Sequence, residues 1–185
     1  MSKLKKPKPV KLIMSIIFKE KEILNAVMQE LSSIFGQIDF ASEILPFNFT
    51  DYYCKEMGKP LKRQFISFLK LISPETLPEI KIPPETLPEI KHETNKVELK
   101  YSKEEKRQAN IDPGYITAER LVLATGKNFT HRIYLRDGVY ADLTLIYQNK
   151  DFRPLSWTYP DYASPGIREI FKQIREKYLS QLKQI

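Results

Sequence analysis

A chain of 185 residues, 42% apolar and with 10 Phe and 10 Tyr, can bury a core of its own, which excludes general disorder and fits one domain over 1–185. No apolar run approaches the ~20 residues that span a bilayer, and the single cysteine, Cys54, excludes an internal disulfide, so a cytoplasmic protein without membrane contact is expected. The formal charge of +7 sits at the two ends, with five lysines and no acid in residues 1–12 and five bases against two acids in residues 164–185; a flexible basic tail over 1–8 and a solvated helix face account for it without a nucleic-acid partner.

"VKLIMSIIFK" (10–19) is a nearly continuous, isoleucine-rich run and reads as a central strand buried on both faces. Ile23, Leu24, Val27, Met28, Leu31, Ile34 and Phe35 then recur at helical spacing, and Gly36 supplies a stop. Residues 38–47 read as a second strand closed by Pro46. Thr50 or Asp51 as cap and Gly58 as terminator predict a two-turn helix, and "LKRQFISFLKLI" (61–72) a third strand.

Residues 72–91 hold ten residues written twice, "ISPETLPEIK" and "IPPETLPEIK". Each copy contains Thr-Leu-Pro-Glu, the form of a capping box with proline in the first turn. After the first box, Thr76 to Glu79, Pro83-Pro84 stop the helix within about one turn. After the second, Thr86 to Glu89, the stripe Leu87, Ile90, Thr94, Val97 and Tyr101 continues it. The prolines are not spaced P-x-x-P, so the duplication reads as a copied surface connection rather than a ligand motif.

Asp112-Pro113-Gly114 predicts a turn with Gly114 at positive φ, and Thr117 a cap for a short helix ending at Gly126. Asp137-Gly138 between alternating segments predicts a two-residue hairpin. That register sets Leu135 opposite Tyr140, Ile133 opposite Asp142 and His131 opposite Thr144. A turn at 148–150 and "KDFRPL" add a further strand, and Ser164-Pro165 opens an amphipathic helix carrying Ile167, Ile170, Phe171, Ile174, Tyr178 and Leu182. The sum is an α+β fold: a mixed or mostly antiparallel sheet of about five to six strands covered by helices, with a ferredoxin-like core as first topology.

Several constellations bear on chemistry. "ATGKN" fails as a phosphate loop, because Leu121 stands where a glycine is needed and Asn128 where Ser or Thr is needed. Cys54, His92 and His131 cannot form an ordinary structural zinc site, and neither a metal nor an organic cofactor is signalled. In the predicted register Asp142 is the diagonal neighbour of His131 and would orient its imidazole for acid–base work; a cross-strand polar pair on a wet sheet face is the plainer reading. Trp157, Tyr159 and Tyr162, with Asp161 among them, would make a stacking wall or plug one end of the core. Arg63 would clamp an anion from a strand otherwise apolar.

The run of "IDFASEILPFNFTDYYCKEMG", "LKRQFISF", "NIDPGYIT", "LVLATGKNFTHRIYL", "GVYADLTLIY" and "WTYPDY" resembles, nearly end to end, the bacterial and archaeal family called domain of unknown function 4416. The resemblance implies a small stand-alone cytoplasmic protein of prokaryotes and supplies no mechanism. It implies one copy of "PETLPEIK", which makes the duplication an insertion. Its motifs fall on Asp51, Tyr52, Glu56, Met57, Gly58 and Arg63, then on Asn110, Asp112, Gly114 and Tyr115, and then on His131, Arg132, Trp157, Tyr159, Pro160 and Asp161. Asp142 stands where the resemblance implies glutamate, which keeps the acid and changes its reach. Two functions are therefore expected. One is binding of an anionic or nucleotide-like small molecule, with or without catalysis, through Arg63, Arg132, Trp157, Tyr159, Asp161, Asp51 and Asp112, with His131 and Asp142 as the catalytic candidates. The other is a non-catalytic interaction or assembly module. Oligomeric state is left open.

Overall fold

A computed structural model describes residue 3, residues 7–72 and residues 86–185. Most of the basic tail, the first copy of the duplication with its Thr76 box, and the start of the second copy lie outside the described residues. The elements run β1 (Val10–Phe18), α1 (Lys21–Phe35), β2 (Ile38–Ala41), β3 (Leu45–Phe47), α2 (Cys54–Met57), β4 (Leu61–Ile72), α3 (Leu87–Lys100), β5 (Ala109–Ile116), β6 (Arg120–Thr125), β7 (Arg132–Arg136), β8 (Val139–Gln148), β9 (Asp151–Pro154), α4 (Pro160–Ala163) and α5 (Pro165–Leu182). Among the described residues there is one sheet of nine strands in the order β2-β4-β1-β5-β6-β8-β7, with β3 added to β4 and β9 to β8. Every named pairing is antiparallel. The sheet is thus larger than the expected five to six strands.

β1 is buried along its whole length, which accounts for its unbroken apolar run. Leu12, Met14, Ile16 and Phe18 face a core shared with Leu24, Val27, Leu31 and Phe35 of α1 and Leu87, Ile90 and Val97 of α3. On the other face Ile13 packs with Phe65, Leu145 and Phe152 under Ile167, Phe171 and Ile174 of α5. The helical stripes therefore point as their spacing requires. Lys11 and Ser15, on the α5 side of β1, are fully buried polar exceptions.

Five local readings are corrected. The stretch 117–126 holds the strand β6 (Arg120–Thr125), not a helix, because Leu121, Val122, Leu123 and Ala124 are all buried between neighbouring strands. Thr117 does accept amide hydrogens, from Glu119 and Arg120, but it closes the β5–β6 turn; the same hydroxyl chemistry serves caps and turns. Asp112-Pro113-Gly114 lies inside β5, and Gly114 is absent from the positive-φ glycines. A Cβ there would stand 2.4 Å from the Val122 carbonyl oxygen and 2.7 Å from Leu123 Cδ2, so glycine is needed for close strand approach. Residues 38–47 split into two strands, with the Ser42 amide donating to the Phe65 carbonyl and the Ser42 hydroxyl accepting from the Phe65 amide at the corner. The helix before Gly58 has one turn rather than two. The β7–β8 hairpin has the expected tip, with Asp137 at φ 53° and Gly138 at 76°, but the register shifts between Tyr134 and Arg136. Arg132, not Ile133, then opposes Asp142.

The position of the cavity follows from the fork of two strands. β5 pairs with β1 over its full length but with β6 only from Gly114 to Ile116. β6 meanwhile continues with β8 through Ala124 and Thr125. The next β5–β6 pair would be Pro113 with Ala124, and proline has no amide hydrogen to extend a ladder. Beyond Pro113 the two strands part, leaving Asn110 and Asp112 on one lip and Leu123, Ala124 and Thr125 on the other.

Candidate functional site

This fork opens into a cavity of about 610 Å³. α3 lays Lys91, Asn95 and Glu98 against its β5 side. The far side is made by Thr125, Gly126, Lys127, Arg132 and Asp142. Arg63, Tyr159, Asp161 and Tyr162 close one end, and the segment before α2 covers the mouth with Phe49, Thr50, Tyr52 and Tyr53.

Of five lining cations and four lining carboxylates, four pairs match. Lys91 Nζ lies 3.7 Å from Asp112 Oδ1 and donates to the Ile111 carbonyl. Arg107 forks onto Glu56, with Nε to Oε1 at 2.8 Å and NH2 to Oε2 at 2.7 Å, and its NH1 reaches Glu98 Oε2 at 3.3 Å and Asn110 Oδ1 at 2.9 Å. Arg63 is buried against Asp161, with its guanidinium 4.4 Å from the Phe47 ring centre and 5.2 Å from that of Tyr162. Arg132 Nε donates to Asp142 Oδ2 at 2.8 Å. Lys127 is left over. No carboxylate among the described residues pairs with it, and its ammonium sits 4.2 Å over the exposed Tyr52 ring. The uncompensated positive charge is therefore at the mouth.

Glu98 is the buried acid of the floor. Burial pushes its carboxyl above the usual range, and the charge of Lys91, the Ile111 amide and Arg107 offset that only in part. Glu56, more exposed, moves the other way, because the hydrogen bonds of Arg107 favour its charged form. The Tyr53 hydroxyl is held protonated by burial and then by the charge of Asp112. Among the described residues no three of His, Cys, Asp and Glu cluster so as to hold a metal ion.

The expected site residues fall into three groups. Arg63, Asp112, Arg132, Asp142, Tyr159 and Asp161 all line this cavity. His131 and Trp157 stand beside it in a more open depression that shares Lys127, Arg132 and Tyr159 with the cavity. Their rings are stacked, with centroids 4.8 Å apart at 12°, and His131 Nε2 is 3.3 Å from Asp142 Oδ2. The same oxygen takes the shorter bond from Arg132, so the carboxylate serves the guanidinium first. Asp51 lies apart, exposed and paired with Lys59 at 2.6 Å. Lys91, Glu98, Arg107 and Lys127 were not foreseen. Glu98 follows Val97 on the buried stripe of α3, where an acid is out of place; Arg107 is hidden in the charge-rich run "KEEKRQ".

No helix among the described residues is long and apolar enough to cross a membrane. The family model described as Domain of unknown function (DUF4416) matches residues 8–83 and again 81–178, and the two matches meet within the duplicated segment, which is compatible with an extra copy there. Searches of curated proteins and of solved structures each found no match.

Proposed function

The chain belongs to the DUF4416 family, and for this member we propose that the fork cavity binds a small planar anion of nucleotide type. One observation carries the reading: Lys127, the lining cation without a carboxylate, lies over the Tyr52 ring at the mouth. Phe49, Tyr52 and Tyr159 are large exposed aromatics around the same opening, and exposed rings beside an open charge suit a ligand with a ring and an anionic group. A base would stack at the mouth, its anion would meet Lys127, and Asn95 would face its polar edge. Arg63 and Arg132, each neutralised by its own carboxylate, hold the walls, and Arg132 orients Tyr159, whose hydroxyl accepts from Arg132 NH2 at 3.0 Å. Glu98, an acid in the cavity floor, is where proton transfer would begin if the ligand reacts.

The test is a thermal-shift and calorimetric comparison of AMP, adenosine and ribose 5-phosphate. Saturation at ~100 times Kd adds roughly 2.7 kcal/mol, or about 5–10 °C for a domain of this size. AMP should exceed both fragments, and Lys127→Ala should weaken it roughly tenfold. Equal binding in the variant, or none by any mononucleotide in a wider panel, overturns the reading.

Two finer points belong with it. β1-α1-β2-β4-α3-β5 reads as a ferredoxin-like core, supported by the strand order β2-β4-β1-β5 and by α1 and α3 sharing one core. A cytoplasmic location is supported by the single cysteine. The rival assembly-module reading is favoured by the edge strand β7, where Ile133 is 70% exposed; a dimer in light scattering that Ile133→Lys disperses would favour it.

A further inference from the structure

The depression beside the cavity is chemically unlike it. Its lining is Lys127, Asn128, Phe129, Thr130, His131, Arg132, Ser156, Trp157 and Tyr159, with no carboxylate among them. The cavity carries four. Within the depression the aromatic surface is built and held. Trp157 Nε1 donates to the Leu143 carbonyl at 2.8 Å, which fixes the indole at one edge. One indole face stacks on His131. His131 is in turn held by Asp142 at 3.3 Å and by the edge of Phe129, whose ring centroid is 5.4 Å away. Yet Trp157 remains 39% exposed and Phe129 62% exposed. A rigid ring left partly in water is a ready stacking platform, because its ordering entropy is already spent before a ligand arrives.

The two hollows share Lys127, Arg132 and Tyr159. The Lys127 ammonium, paired with no carboxylate among the described residues, therefore stands between two aromatic surfaces, Tyr52 and Phe49 on one side and Trp157 and Phe129 on the other. Resting on the nucleotide reading above, we propose that the depression is a second base-binding subsite. The ligand is then two nucleosides joined through phosphate, with one base in the cavity mouth, the other on Trp157, and the phosphodiester beside Lys127. A free dinucleotide and two adjacent residues of a single strand share that chemistry.

Trp157 is the only tryptophan in the chain, so its emission reports on this subsite alone. AMP, adenylyl-3′,5′-adenosine and an eight-residue oligoadenylate are titrated into the full chain, with calorimetry for affinity and Trp157 emission for occupancy. A second stacked base should bring roughly tenfold or more in affinity over AMP, with quenching by the dinucleotide and little by AMP. Trp157→Ala, read by calorimetry, should remove the gain, and Trp157→Phe should keep part of it. Equal affinity of dinucleotide and octamer identifies a free dinucleotide. Affinity that climbs with length and falls steeply with salt identifies a single strand. If AMP binds but the dinucleotide is no tighter and emission does not change, the second subsite is refuted while the cavity reading stands. If neither binds, both fall together.

Discussion

Gly114 and Pro113 shape the candidate site without lining it. Gly114 lets β6 approach β5 to within 2.4 Å of where a Cβ would stand, and Pro113 ends that approach one residue earlier in the chain. The zip and the fork are neighbours. Gly114→Ala forces a backbone carbonyl rather than a flexible side-chain tip to move, so it should cost about 1–3 kcal/mol or more. It should also loosen the cavity lip, weakening AMP binding beyond what the stability loss explains. Urea denaturation of the variant measures the first effect and calorimetry the second. A variant within about 0.5 kcal/mol of the parent would mean that the strands are not held this closely. The sequence made the pair legible as punctuation but not as this kind. Pro-Gly signals a turn when its neighbours are free, and here pairing with β1 along 109–116 overrides the local preference.

Among elements, the dependence of α5 on one buried ion pair is the most exposed to test. Lys11 Nζ uses all three hydrogens, on Asp39 Oδ2 at 2.6 Å, the Phe68 carbonyl at 2.8 Å and Gln181 Oε1 at 2.7 Å, and so joins β1, β2, β4 and α5. Burial raises the Asp39 carboxyl, but hydrogen bonds from Lys11 and Ser67 and the charges of Lys11 and Lys177 outweigh it, and the net direction is downward. A carboxylate with a depressed folded pKa contributes stability that is present above its unfolded value, ~4, and lost as pH falls through the folded one. Stability should therefore drop below pH ~4, and Asp39→Asn should remove part of that drop. At neutral pH Asp39→Asn should cost about 3–5 kcal/mol, because it leaves a buried ammonium without its counter-charge, whereas Lys11→Met with Asp39→Leu should cost far less. Equal losses in the two variants, in denaturation at pH 7 and pH 3.5, would remove the ion pair from the account of how α5 docks. Helices were the legible elements: α1, α3 and α5 each show a stripe of period 3.6 that the core uses. The short strands β2, β3 and β6 were not legible as they stand. Three to six residues carry too little periodicity to choose between helix and strand, and the Leu135 irregularity that sets Arg132 against Asp142 has no signature in an alternating segment.

At the scale of the whole molecule, the proposed site and the duplicated connection lie at opposite ends of β4. β4 reaches the cavity near its start, at Arg63, and ends at Ile72, which pairs with Val10 at the far end of β1. The duplicated connection leaves from that far end. Several residues of the cavity lining were nonetheless readable as candidates, because Arg63, Asp112, Arg132, Asp142, Tyr159 and Asp161 are polar or amphipathic residues embedded in strand and turn segments, where burial needs a reason. Their convergence was not readable, since it depends on where β5 and β6 part. The second copy cannot be spared: Leu87 and Ile90 anchor α3 in the core, and Lys91 lines the cavity. The first can. Removing residues 73–82 shortens the link between Ile72 and Leu87 from fourteen residues to four and keeps Thr86, Pro88 and Glu89 at the start of α3. Closure entropy changes by about 0.6 kcal/mol per doubling of length, so the shortened chain should be as stable as the parent or more stable by about 1 kcal/mol, with a thermal midpoint level or up by about 2–4 °C and AMP affinity unchanged. A fall of several degrees would show that the first copy makes contacts the fold needs. Retained stability with lost affinity would mean instead that the duplication reaches the ligand, and the division of the sheet into a functional end and a tolerant end would be wrong.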